Sequence, residues 1–446
     1  MLEAAHKTPE NSKLSAVVYS ATHSWFWLLC VDVYAVLAAA SIPWSTSGVA
    51  IFMVLWFIAS IPTIDPPAFV NSLRRPAYWL PVAFFGLGVV GMLWADGPWS
   101  TRLYGVNPVT KLLAIPFLLY HFERSKRGLW VFAAFLISCA LLMGLSWIVL
   151  FAPEWKIAAP EQAGVPLKNY IDQSQEFALC VFALAPLILV FWNQRRVGLA
   201  VACAALTIGF FANIMFVASA RTTWAYMPLL LMLFAIRHLN RRAMLSVFLA
   251  AALTAGLVWS TSPYLRQRIQ HFAIEYQEYK ETHRPTSTGQ RLEYWSRAIE
   301  WIGQAPLIGH GTGSTRQLFD REAVGKTGAW ADSISNPHNQ TLYVAIDWGL
   351  LGCIVLYAMW GSHLLLFREA SFPAWVGLVV VVQNILSSLF NSHLFDFHEG
   401  WMYVLGVGVA GGMVARSRKD LEAKPHSLGI MQTPVRSGHP PDQDRR

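Results

Sequence analysis

Long apolar runs recur along the whole chain, each close to the roughly 17–25 residues that a helix needs to cross a bilayer. They cover about 25–43, 47–63, 77–95, 106–122, 128–152, 176–193, 197–218, 222–238, 242–260, 341–367, 373–391 and 400–416. This pattern predicts an all-α polytopic membrane protein with about twelve transmembrane helices. The run at 106–122 fits least well, because Lys111 and Pro116 interrupt it.

The polar segments between the runs alternate in charge. With the N-terminus inside, the cytoplasmic segments hold Lys7 and Lys13; Arg74 and Arg75; Arg124, Lys126 and Arg127; Arg195 and Arg196; Arg237, Arg241 and Arg242; Arg368; then Arg416, Arg418 and Lys419. The short outer segments carry chiefly Arg102, Lys156, Lys168 and Arg221. Positive charge collects on the cytoplasmic side of membrane proteins, so this alternation predicts an even number of spans with both termini cytoplasmic. The N-terminus is polar up to Ser24 and lacks a small-residue cleavage site, so the first run reads as a retained span.

One outer segment, roughly 261–340, far exceeds the two to eight residues usual between packed helices. Leu265, Ile269, Phe272, Tyr276 and Tyr279 recur at spacings of three and four, as do Trp295, Ala298, Ile299 and Ile302, which predicts two amphipathic helices. A polar turn region, residues 281–289, separates them; Pro306 and the glycines Gly309, Gly311 and Gly313 follow as a tight turn. A second polar outer segment, about 153–175, is expected to flank the same surface. The expected organisation is a cytoplasmic segment (1–24), transmembrane helices one to nine (25–260), the long helical outer loop (261–340), helices ten to twelve (341–416) and a disordered cytoplasmic tail (417–446).

Composition supports this reading. The chain is 55% hydrophobic and 13% charged, against about 25% charged in an average soluble domain. The net charge of +8 would suggest nucleic acid in a soluble protein, but the basic residues sit in loops and no basic, aromatic-interleaved module is present, so nucleic-acid binding is excluded. Cys30, Cys139, Cys180, Cys203 and Cys353 all lie in apolar runs without metal-ligand spacing and read as small buried hydrophobes.

Two places stand out for chemistry. Asn336-Pro337-His338-Asn339-Gln340 ends the long loop, and a histidine there is suited to act as a base on a sugar hydroxyl. The plainer alternative is a histidine that only hydrogen-bonds in an interfacial turn. Ser219-Ala220-Arg221-Thr222-Thr223 leaves an arginine at the edge of hydrocarbon, where its planar fork suits phosphate; the alternative is snorkelling to the interface. Arg266, Arg268, Arg291 and Arg297 lie on the loop helices among many glutamates, so most are expected to be solvated or ion-paired while one or two face a site. Lys111, Lys168 and Gln175 are placed to line the same cavity. There is no phosphate-binding Walker loop, dinucleotide fingerprint, HExxH or acidic metal pair. Asp32 and Asp347 read as isolated within spans, without the intramembrane chain of acids expected of a proton-coupled carrier. No cofactor and no metal are expected.

Three segments resemble the O-antigen ligase/polymerase superfamily of bacterial envelope enzymes. Ser219-Ala220-Arg221-Thr222-Thr223-Trp224 is similar to its Ser-x-Ser-Arg signature, with Ala218 a minor departure. Arg291-Leu292-Glu293-Tyr294-Trp295 through Pro306-Leu307-Ile308-Gly309-His310-Gly311 resembles its Arg–Trp–Pro-Leu-x-Gly-x-Gly stretch. Pro337-His338-Asn339 through Leu342, Asp347, Gly349 and Gly352 resembles its His-Asn…Leu…Glu-x-Gly-x-x-Gly pattern, with Asp347 in place of the commoner Glu. The likeness covers roughly residues 200–360. It implies a glycosyltransferase-C-like membrane fold in the bacterial inner membrane with a periplasmic active site. It implies transfer of a glycan from undecaprenyl pyrophosphate to lipid A-core in a ligase, or to another lipid-linked unit in a polymerase. The loop and its Gly-His-Gly turn favour the ligase; a flippase of lipid-linked sugars is a further alternative. His338 is then the expected base of an inverting, metal-independent displacement, with Arg221 and Arg266, and behind them Arg291, expected on the pyrophosphate.

Overall fold

The structure, a computed structural model, describes residues 24–158, 162–261, 263–282, 286–326 and 334–422. The N-terminal segment and most of the predicted tail lie outside the described residues. Among the described residues the fold is all-α. The helices are α1 (Trp25–Ser41), α2 (Thr46–Ser60), α3 (Pro66–Ser72), α4 (Pro76–Val90), α5 (Trp99–Thr110), α6 (Ala114–Phe122), α7 (Gly128–Phe151), α8 (Tyr170–Asn193) and α9 (Val197–Phe216). They continue with α10 (Arg221–His238), α11 (Arg241–Thr261), α12 (Pro263–Thr282), α13 (Ser287–Gln304), α14 (Ser314–Ala323), α15 (Gln340–Leu366), α16 (Phe372–Ser387) and α17 (Phe397–Glu422).

Every run predicted to span contains a helix, but eight are long and apolar enough to cross a membrane, with two shorter apolar helices in α1 and α16. Among the described residues the expected twelve is thus borne out in part. Arg221, Arg237 and His238 at the ends of α10, and His398, Glu399 and several glycines in α17, lower the apolar content of those two helices. The doubtful run around Lys111 is an α5–α6 pair joined by a short 3-10 turn at Lys111–Leu113. Helix α17 runs on to Glu422, into the stretch expected to be tail.

Packing follows side-chain size. On α17, a methyl group at Gly408 would meet Leu118 at 2.4 Å and one at Gly412 would meet Phe122 at 2.6 Å, so the glycine face lets α6 and α17 approach closely. At the periphery, Leu245, Leu249, Leu253 and Leu257 form an exposed row on α11, which buries only Val258. Such a helix is stable only where its outer face meets lipid tails.

The long loop contains α12, α13 and a third helix, α14, that the hydrophobic pattern did not indicate. Ala298, Trp301 and Phe319 form a small core with Ile346 of α15, while Ile299, expected on the same face, is exposed. The loop docks through a break in α15. Gly349 has φ 59° and ψ −153°, outside the helical region. The N–H groups of Leu350 and Leu351 donate to Pro306 and Leu307 carbonyls at 2.8 and 3.1 Å. The Ile346 and Asp347 carbonyls that a regular helix would have paired with them accept instead from His310 and Gly311 N–H, both at 2.8 Å. The turn 306–311 is thus inserted into the ladder of the helix, leaving no orphaned backbone group at the break.

Asp347 completes the joint. Its carboxylate accepts from Gly313 N at 3.1 Å and from Thr315 N and Oγ1 at 3.0 and 2.7 Å, capping α14 from another helix. It is therefore not an isolated acid. Nor is Asp32, which accepts from Ser125 at 2.8 Å and pairs with His121 at 2.8 Å and Arg127 at 3.0 Å.

Gly349→Ala is expected to destabilise the protein by at least about 2 kcal/mol, since φ is positive and the new methyl would lie 2.5 Å from the Leu307 carbonyl carbon. Thermal unfolding of purified protein in detergent measures this; an unchanged melting temperature would contradict the inserted turn.

Candidate active site

The backbone of the 336–340 segment is tied to the connection between α16 and α17. Gln340 N donates to Ser388 O at 2.9 Å, Leu394 N to Gln340 Oε1 at 3.1 Å, and Asn339 Nδ2 to Leu389 O at 3.1 Å. Asn339 also caps α15 by accepting from Leu342 N. From the loop side, Trp295 Nε1 donates to the Pro337 carbonyl at 3.0 Å. Held on both sides, His338 adopts φ 55°, a left-handed conformation that costs a non-glycine residue roughly 1–2 kcal/mol. Backbone strain of this kind clusters where a side chain must be aimed.

The His338 ring lies beside Tyr294, nearly parallel at 6.3 Å between centroids, with its Nδ1 2.8 Å from Asn391 Oδ1. Among the described residues, nothing hydrogen-bonds Nε2. Burial pushes the imidazole below its ordinary value; the Asn391 hydrogen bond opposes this and the Arg291 charge adds to it. His338 is accordingly neutral near pH 7.

The three candidate arginines differ in their surroundings. Arg221, the first residue of α10, makes a two-pronged pair with Glu275 of α12 at 2.9 and 3.1 Å, and Nη1 lies 3.4 Å from Thr288 Oγ1. Thr288 Oγ1 in turn donates to Glu275 at 2.6 Å. Burial alone would raise Glu275, but these hydrogen bonds outweigh it and hold the carboxyl below its ordinary value. Arg291, one helical turn beyond Thr288, is half-buried and, among the described residues, has no hydrogen-bond or ion-pair partner. Burial, then the neighbouring Arg221, pull its guanidinium below the usual range.

Arg266 is half-buried near the start of α12, nine residues or about 14 Å along the helix from Glu275. No hydrogen bond or ion pair among the described residues brings it to His338. Arg297 is paired with Glu293, Glu300 and Glu322, as expected of a solvated loop arginine, and the Arg268 side chain lies outside the described residues.

Beneath His338 lies a buried polar cluster that the sequence reading missed. Asp172 pairs with His398 at 2.8 Å, and Gln175 Nε2 lies 3.2 Å from Glu399 and 3.1 Å from His393 Nε2. Lys111 Nζ donates to the Phe395 and Asp396 carbonyls at 2.9 and 2.5 Å, and Lys168 lies 3.6 Å from Glu176. Burial pushes His393 down to about 3, leaving it neutral. A signal was present: Asn391, Ser392, His393, Asp396, His398 and Glu399 crowd one short stretch of an otherwise apolar chain. Acidic residues in the helices are thus less sparse than the runs suggested. They remain in separate groups, with Asp32, His121 and Arg127 near the start of α7 and the Asp172 cluster near the start of α8, beyond the far end of α7. Among the described residues, no group of side chains has the arrangement of a metal site.

A family model described as O-antigen ligase matches residues 206–357, which include Arg221, Arg291 and His338. The match covers about a third of the chain and supports a likeness to the O-antigen ligase/polymerase superfamily. It is also similar to an uncharacterized protein of Haemophilus influenzae, 25% identical over 310 residues, or 66% of this chain and 75% of that protein.

Any reaction that uses His338 as a base is expected to keep its rate at neutral pH and lose it only as pH falls below the ordinary histidine value near 6.5. The sign follows from the lowered pKa, since the protonated, inactive form appears only in more acid solution. A pH–rate profile whose acidic limb lies above 7 would contradict this.

Proposed function

We propose that this protein is an O-antigen ligase of the inner membrane, with both termini cytoplasmic and its active site on the periplasmic face. It transfers a glycan from undecaprenyl pyrophosphate to a sugar hydroxyl of lipid A-core, with inversion at the anomeric carbon. The observation that carries this reading is Arg291. A half-buried guanidinium that makes no ion pair among the described residues, and whose burial and Arg221 neighbour outweigh the attraction of Glu275, is costly, and the binding of an anion beside it recovers that cost.

In this reading the acceptor hydroxyl attacks the anomeric carbon as the bond to the pyrophosphate oxygen breaks. Nε2 of His338 takes the hydroxyl proton, and the leaving pyrophosphate gains its charge against Arg291. Arg291 therefore comes first in that role. Arg221 supports it from behind through its bridge to Glu275, and Arg266, placed along α12, is no longer part of the proposed site. Burial and the arginine charge keep His338 unprotonated, as a base must be at neutral pH. A polymerase would use the same groups on a lipid-linked acceptor. The flippase alternative gains nothing from the buried acids, because they stay in separate groups without a continuous path between them.

His338→Ala is expected to abolish transfer while donor binding persists, and Arg291→Lys to lower the rate by about 10²-fold by removing the fork while keeping the charge. Purified protein given lipid-linked glycan with either lipid A-core or a second lipid-linked unit decides the acceptor. Glycan on the core supports the ligase; elongated lipid-linked chains support the polymerase. Full transfer by His338→Ala removes the proposed mechanism.

A further inference from the structure

Asn391 and Asp396 lie outside the segment matched by the family model, in the connection between α16 and α17. Their hydrogen bonds can be assigned from groups whose direction is not in doubt. The backbone N–H of His338 can only donate, and it donates to Asn336 Oδ1 at 2.8 Å. Ser392 Oγ donates to the same oxygen at 2.7 Å. Asn336 must therefore turn its Nδ2 toward Asn391, whose Oδ1 accepts at 3.1 Å. From the other side, Asn391 Nδ2 donates to the Asp396 carboxylate at 2.7 Å. Both constraints give the same amide orientation, with the Asn391 oxygen facing His338 Nδ1 at 2.8 Å. That oxygen only accepts, so the proton resides on Nδ1 and the lone pair on Nε2.

We propose that Asn391 is a positioning residue for His338, held in one amide orientation by Asn336 and Asp396, and that it fixes the histidine tautomer whose Nε2 is basic. This rests on the reading of His338 as the base. Asn391 acts through His338 and does not itself titrate. Its effect is to make the active tautomer the only one that leaves no acceptor facing an acceptor, and to hold the ring against rotation in a strained turn. The titratable groups around His338 are Arg291 and Tyr294 on α13 and His393 and Asp396 in the α16–α17 connection, with Lys111 behind Asp396. Neutral Asn391 thus stands between the imidazole and the carboxyl group of Asp396, which keeps the histidine from being drawn upward into its protonated form by that group.

The test compares the full-length protein with three variants in the transfer assay, measuring kcat, donor KM and the pH–rate profile. Asn391→Ala is expected to lower kcat by about 10²-fold with donor KM unchanged, as for a misaligned base. The exchange Asn391→Asp with Asp396→Asn keeps charge, size and hydrogen bonds while placing the carboxylate directly on Nδ1. It is expected to retain rate above pH 8 and to move the acidic limb up by about one unit or more. A wild-type kcat in Asn391→Ala, or an exchanged variant whose acidic limb stays in place, overturns the proposal. If Asn391→Ala does not accumulate in the membrane, the exchanged variant alone decides. His338→Ala separates the two levels: activity in it removes the base itself, whereas an inactive His338→Ala beside a normal Asn391→Ala removes only the positioning role.

Discussion

A backbone amide inside a bilayer has no water to turn to, so a break in a membrane helix survives only where other backbone groups replace the lost partners. Helix α15 breaks at Gly349, and the turn at 306–311 supplies those partners one for one. Much of the loop-bearing end of the molecule depends on this exchange. It anchors the end of α13, and the Asp347 cap at the same joint fixes the start of α14. With α13 anchored, Trp295 reaches the Pro337 carbonyl and Arg291 faces His338. A loop that would otherwise be free to lift from the bundle is built into one of its helices.

The charges around His338 are arranged by a second constraint, the cost of burying an ion without a partner. Arg221 meets this cost within the fold, through Glu275 and Thr288. Arg291 makes no ion pair among the described residues, which leaves its charge available to an incoming anion. The same low-polarity surroundings keep His338 and His393 neutral. A cation waiting for an anion beside a neutral base is a combination suited to expelling a phosphate leaving group while removing a proton.

The hydrophobic pattern made the all-α membrane fold legible, and with it the helices, the long loop and two of the loop's helices. It did not reveal α14. That helix takes its cap from Asp347, far away in the chain, so no local capping residue announced its start. Of the expected spans, α1 and α16 are short, and the charged ends of α10 and the His398, Glu399 and glycines of α17 lower their apolar content. Arg266 and Arg291 were indistinguishable as loop arginines on amphipathic helices. Which of them faces inward depends on how α12 and α13 roll against the bundle.

Some properties of this protein follow from its sequence alone. The length and apolar content of each run decide that the chain dissolves in a bilayer, because transfer of these side chains does not depend on their neighbours. The identity of His338 and its place at the end of a structured loop were likewise readable from the motif. Tertiary structure alone decided which arginine is paired and which is not, and which nitrogen of His338 holds the proton. Those depend on Glu275, Asn336, Asn391 and Asp396, residues brought within hydrogen-bond distance from separate elements. Hydrogen bonds and charge pairs act over a few ångströms in space, and the order of residues along a chain does not record which of them will come that close.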